Sequence, residues 1–246
     1  DTADTTELRT INRNLLTTFD YTFSHNWSIS ASVAAVSRSH SHIDDPTGSA
    51  TFESWNFTKM GDTRVLGSYR FNHEANPLVN YGLTFGAKLP TGDYRVANAD
   101  GAVAERSLQP GTGSTDIVLG GYYTAPGWSA DSGWFAQALV QQAVITKDGF
   151  RPGTQFQLNV GYRHPLTESL FAMLQANALY KSHDTGINAE PDLSGSTTIF
   201  LSPGLSYSIT PKVQTYGFVQ VPVYRYVNGT QLSADWAAVI GLTLQF

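Results

Sequence analysis

The sequence predicts an all-β chain, a single transmembrane antiparallel β-barrel of about twelve strands. Three observations predict it. The last residues alternate: Trp236, Ala238, Ile240, Leu242, Leu244 and Phe246 share one parity, and Asp235, Ala237, Val239, Gly241, Thr243 and Gln245 the other. Period-two alternation marks a strand with one apolar and one more polar face, and an apolar parity ending on a terminal aromatic resembles the closing strand of a bacterial outer-membrane barrel. Aromatic residues make up 12% and charged residues only 14%, against about 25% charged in ordinary soluble domains. Finally, short and long polar connections alternate along the chain, as periplasmic turns and external loops do in such barrels.

Each strand is legible by the same parity. Leu15, Thr17, Phe19, Tyr21 and Phe23 form one face of the first, and Ser24-His25-Asn26 turns into the second. There Trp27, Ile29, Ala31, Val33 and Ala35 face out against Ser28, Ser30 and Ser32. A connection over 43–54 precedes a third strand ending in Val65, Gly67, Tyr69 and Phe71. The turn 72–77 leads to the clearest strand, with Val79, Tyr81, Leu83, Phe85, Ala87 and Leu89 outward and Asn80, Gly82, Thr84, Gly86 and Lys88 inward. The longest connection, 92–114, is rich in Gly, Ala and Asp and long enough to fold into a bore. Ile117, Leu119, Gly121 and Tyr123 mark the fifth strand. The sixth, from Trp134, has an ambiguous parity, resolved by turning Gln137 and Gln141 inward. Phe156 to Tyr162, Leu170 to Tyr180, Ile199 to Ile209 and Val213 to Val227 carry the seventh to tenth, and the tail is the eleventh. Pro203 and Pro222 fall inside strand patterns; proline lacks the ladder donor, so each predicts a bulge or local break.

Bacterial single-chain barrels have even strand numbers. Eleven legible strands therefore predict a twelfth, expected upstream of Asp1, in a mature or trimmed form of an exported protein. The whole of 1–246 reads as one domain, with no linker, no repeat and no apolar run of the ~18–20 residues a membrane helix needs. A soluble β-sandwich is the alternative architecture. Tyr69, Phe71, Tyr123, Tyr162, Tyr207 and Trp27, placed near strand ends, favour interfacial girdles instead.

Composition narrows function. With no cysteine there is neither a disulfide framework nor a thiolate metal site. A net charge of −5 argues against a nucleic-acid binder, and no cofactor motif is present. The fragment Gly111-Thr112-Gly113-Ser114 has neither the spacing nor the following helix of a phosphate loop.

Three internal stretches carry a family resemblance: Gly61-Asp62-Thr63-Arg64, Lys88-Leu89-Pro90-Thr91-Gly92-Asp93 and Leu108-Gln109-Pro110-Gly111-Thr112-Gly113-Ser114. The tail from Gln220-Val221-Pro222-Val223-Tyr224 through Asn228-Gly229-Thr230-Gln231-Leu232 fits as well. Together they make the chain resemble the outer-membrane transporter-like family named after the MetA pathway of phenol degradation. The resemblance implies a roughly twelve-stranded channel for small, often hydrophobic or aromatic, molecules. It carries over no binding residues.

By parity, Arg38, His40, Asp62, Arg64, Arg70, Lys88, Asp116, Arg163 and Lys181 are expected to line the lumen. Their basic excess, partly offset by the aspartates, would favour anionic or polarisable solutes; the alternative is a closed ion-pair plug. His40 and His42, two apart on one strand with Asp44 and Asp45 beyond, could ligate a metal, although a hydrated polar lumen is the favoured explanation of them, and His183 is the one candidate for a third histidine. Barrel enzymes acting on lipid or peptide form a competing class. His25, His73 and His164 would supply its base, but no serine motif accompanies them. A structural or partner-binding barrel is the third class. The expected reading is a passive, non-enzymatic channel in the bacterial outer membrane, its C-terminus periplasmic. Its partners would be outer-membrane lipid, lipopolysaccharide and a small-molecule solute.

Overall fold

The computed structural model describes residues 5–44, 50–71, 78–187, 189–229, 231 and 233–246. Asp45, His73 and the turn 72–77 lie outside them. Fourteen strands form: β1 (Thr5–Thr22), β2 (Trp27–Asp44), β3 (Thr51–Met60), β4 (Thr63–Phe71), β5 (Asn80–Leu89), β6 (Thr115–Pro126), β7 (Gly133–Ile145), β8 (Phe150–Arg151), β9 (Gln155–Pro165), β10 (Leu170–Lys181), β11 (Thr185–Gly186), β12 (Ser196–Thr210), β13 (Val213–Val227) and β14 (Ala237–Leu244). All pairings are antiparallel. The main sheet runs β1-β2-β4-β5-β6-β7-β9-β10-β12-β13-β14, with β3 on β2, while β8 and β11 pair separately.

The third strand expected from sequence is longer than its parity suggested. β3 pairs with the upper half of β2 (Asp44↔Thr51 to Ala35↔Met60) and β4 with the lower half (Ser32↔Arg64 to Trp27↔Tyr69). They are one lane interrupted at Gly61-Asp62. The polar residues of β3 hid it, and the expected connection at 43–54 shrinks accordingly. The wall thus has eleven lanes, curled into a trough.

An odd number of antiparallel lanes leaves the two edges, β1 and β14, running in the same direction. No ladder joins them among the described residues.

The parities sort as the sequence implied. Leu83, Phe85, Leu119, Leu158, Leu174, Leu205 and Leu242 are exposed on the convex face. A sandwich would have buried the β5 row, so that alternative fails. Gln141 of β7 faces inward, where its side chain bonds Asp116 and Arg64. Trp128, Trp134 and Tyr162 cluster with centroids 4.5–5.1 Å apart beside the turn after β6, an arrangement suited to a membrane interface. Along β12 and β13 the register shifts between Ile199 and Phe200, beside Pro222. Pro203 stays in the ladder with Leu174.

Candidate functional site

The concave face encloses a cavity of about 3280 Å³ whose border includes Arg38, His40, Arg106, Asp148, Lys181 and Gln220. The 92–114 connection folds into it. Its own side chains make it firm: Asn98 Oδ1 accepts from the backbone N–H of Asp100 and Ala102, and Ala97 bridges Val103. The buried Gln109 amide accepts from Val96 N at 2.8 Å and donates to Ala104 O at 2.7 Å. Apolar packing then fixes the loop to the wall. Ala104 and Leu108 bury against Trp55, flanked by Phe57 and Ala102, and Trp55 Nε1 donates to Ala102 O at 3.0 Å. Arg38 Nη1 donates to Ser107 O at 3.1 Å.

Both ends of the loop are anchored where β3 breaks into β4. Asp62 Oδ1 accepts from Gly92 N at 3.1 Å, and its Oδ2 accepts from both the backbone N–H and the hydroxyl of Thr112 at 2.9 Å. Lys88 Nζ lies 3.2 Å from Asp62 and 3.0 Å from Asp116, and also donates to the Thr112 and Ser114 hydroxyls. Ser114 donates to Asp116 at 2.6 Å, Gln141 Nε2 donates to Asp116 at 2.6 Å, and Arg64 donates to Gln141 Oε1 at 2.5 Å. Two basic and two acidic side chains balance. Burial is nearly complete for Lys88 and Asp116, and in such a place charges persist only when paired and hydrogen-bonded.

Close approach requires glycine at two positions. A Cβ on Gly92 would stand 2.6 Å from the Gly61 carbonyl carbon, and one on Gly111 would stand 2.7 Å from Asp62 Oδ1. Thus the three stretches 61–64, 88–93 and 108–114 converge on one latch. The latch was only half legible: Asp62, Lys88 and Asp116 share inward parity, but Thr112 and Ser114 stood only in a stretch of family resemblance, with no contact to the wall expected.

The other expected lumen residues are placed as follows. Arg38 and His40 border the cavity, and so does Lys181, in an ion pair with Asp184 at 2.7 Å. Arg70 donates to the carbonyl and approaches the ring of His25 in the β1–β2 turn. Arg163 stacks 3.4 Å over Phe171.

His40 Nε2 and His42 Nδ1 lie 3.1 Å apart, with Thr10 at 2.8 Å from His40 Nδ1 and Glu53 at 3.8 Å from His42 Nε2. The imidazoles bond to each other and pack on Trp55 at 5.2–5.7 Å. Among the described residues no three His, Cys, Asp or Glu side chains converge as a metal site. His183 is engaged elsewhere, by Pro191 O and Asn228. His164 stands 3.4 Å from the Ser129 hydroxyl in an exposed turn.

Nothing in the sequence singled out the cluster at the mouth. Tyr94 and Arg95 from the loop, Arg106 from its short 3-10 turn (Arg106–Leu108), and Lys147, Asp148 and Phe150 after β7 meet there. Asp148 receives Arg95 at 2.6 Å and lies 3.5 Å from Arg106. The hydrogen bond from Arg95, ahead of the charges around it, holds the Asp148 carboxyl below the usual carboxylate range, and the same bond raises Arg95.

The family described as "Putative MetA-pathway of phenol degradation" matches residues 14–236. The chain belongs to that family. No curated protein matches it. Among solved structures, the COG4313 outer membrane channel from Pseudomonas putida F1 is similar in fold, with a TM-score of 0.62 at 10% identity, over 94% of this chain and 82% of that one. In this family member, then, the bore of a barrel wall is occupied by a structured loop held at both ends.

Proposed function

We propose that the chain is a passive outer-membrane channel for small molecules, with no catalytic step. The observation that carries this reading is the loop 92–114, packed inside the curled wall against Trp55 and latched at Asp62. An apolar convex face suits lipid, and a polar concave face with a firm internal constriction suits size-selective passage. The family description, with its reference to phenol degradation, supports small aromatic solutes as cargo. Fold likeness to an outer membrane channel supports the same location.

Closure of the wall belongs to this proposal. Lipid leaves no backbone group unpaired, so an open sheet edge cannot persist in the bilayer. Two edges running the same way are bridged by one strand antiparallel to both, which makes a twelve-stranded barrel. The C-terminus and the turns at His25, Asp131, Thr167 and Pro211 face the periplasm. Asn98, Asp148, Asp192 and Asn228 lie toward the outside.

The test is uptake by liposomes carrying the purified chain, across neutral, anionic and aromatic solutes of graded size. Size-limited entry supports a channel, and entry no faster than into empty liposomes refutes it. Cysteines at the second set should label in intact cells; labelling of the turn set instead overturns the orientation.

A further inference from the structure

Three cations surround one aromatic ring at the mouth of the cavity. The Arg95 and Arg106 guanidinium carbons stand 5.5 and 5.6 Å from the Tyr94 ring centre, and Lys147 Nζ stands 5.4 Å from it. Arg106 also lies 4.9 Å over Phe150. The aromatic faces offset part of the mutual repulsion. One carboxylate, Asp148, pairs with both arginines, and a second, Glu105, accepts from the Ser107 hydroxyl beside Arg106, so three positive charges here face two negative ones.

The positive row continues inward. Ser107, next to Arg106, accepts a hydrogen bond from Arg38 through its carbonyl, and Arg38 also donates to Asn12 Oδ1 at 2.5 Å. Both are neutral, so neither cancels the Arg38 charge. Arg95, Arg106 and Arg38 all border the cavity. Acidic side chains, Asp184, Glu190 and Asp235 among them, share the wider border of the cavity, so the positive excess is local to this row, in a chain that carries −5 overall, and gives anions a defined place to bind. Apolar groups share that border: Val103, Leu108 and Leu193 face the same space.

We propose that the row Arg95–Arg106–Arg38 is a binding station for small organic carboxylates with an apolar body. A guanidinium offers paired donors in a plane that matches a carboxylate. The carboxylate would compete with Asp148 for Arg95 and Arg106, and the hydrocarbon part would rest on Val103 and Leu108. This station deepens the channel reading by naming the class of solute held at its entrance, and rests on it.

Benzoate, benzamide and chloride serve as probes of the purified full chain in detergent, by calorimetry, and in planar bilayers, by block of the potassium chloride current. Benzoate should bind and reduce current more than either of the others. Arg95→Gln with Arg106→Gln should weaken benzoate binding by at least about tenfold, the loss expected for one charge-assisted hydrogen bond. Asp148→Asn removes the internal competitor and should tighten binding. Lys212→Gln, in the turn between β12 and β13 and not on the cavity border, should change nothing. Heat-modified gel mobility reports that each variant folds. Equal binding of benzoate and benzamide, full affinity in the double variant, or weaker binding in Asp148→Asn would each overturn the proposal. A chain that binds benzoate but conducts nothing keeps the station and loses the channel. One that conducts without preferring benzoate loses the station alone.

Discussion

Lys88, on β5, meets Asp62, at the break between β3 and β4, at 3.2 Å, and through that contact the wall holds both ends of the internal loop. The same ammonium reaches Asp116 at 3.0 Å. With Arg64 joined to Asp116 through Gln141, the group is neutral as a whole. The balance argues that Arg64 and Lys88 serve to position the loop, and it leaves the local positive excess to the row of Arg38, Arg95 and Arg106.

Replacing Lys88 by Met would leave the buried Asp62 and Asp116 carboxylates without the ammonium that joins them, Arg64 reaching Asp116 only through Gln141. Breaking a buried pair in this way costs about 3–5 kcal/mol. Urea unfolding of the chain in lipid, followed by tryptophan fluorescence, should show a loss of that order. A loss below about 1 kcal/mol, the scale of exposed pairs, would mean the latch carries little of the loop's position.

The clamp between Arg95 and Asp148 predicts a pH dependence at the mouth. The folded Asp148 carboxyl titrates below its unfolded value, which is about 3.9. Its contribution is therefore fully present above about pH 3.9 and disappears as pH falls through the lower, folded value. Channel conductance should show no step from this group between neutral pH and mildly acid conditions. A step should appear only below the ordinary carboxylate range, and Asp148→Asn should abolish it. A step near neutrality that survives Asp148→Asn would assign the titration to another group.

An enzymatic reading makes a different demand. His25, in the β1–β2 turn, contacts Arg70, and His164, near the end of β9, contacts Ser129, both exposed at the end of the wall opposite the loop. His25→Ala and His164→Ala should leave solute flux unchanged. If purified protein cleaves lipid or peptide and either change abolishes it, the chain is an enzyme and the channel account fails.

Much of the wall was legible because a strand with one apolar face repeats every two residues, so Leu83, Phe85, Leu119 and Leu242 declare their face without help. The first residues of β3 read as a connection for the same physical reason: Trp55 and Phe57 turn inward to pack the loop, while Ser54, Asn56 and Thr58 turn outward, inverting the pattern that marks a strand with an apolar outer face. Inward parity found Asp62, Lys88 and Asp116 but not that they bind one another, since contact across lanes depends on register. Thr112, Gln109 and the Tyr94–Arg106 cluster act through loop geometry, which has no period to read.

The central claim is that the loop 92–114 narrows a conducting bore. Single-channel conductance in planar bilayers tests it, comparing the intact chain with one in which residues 94–108 are replaced by a short Gly-Ser turn and Asp62, Lys88 and Thr112 are kept. A larger conductance with weaker size discrimination in the shortened chain is the predicted result. Equal conductance in the two chains, with both shown to be folded, would contradict it.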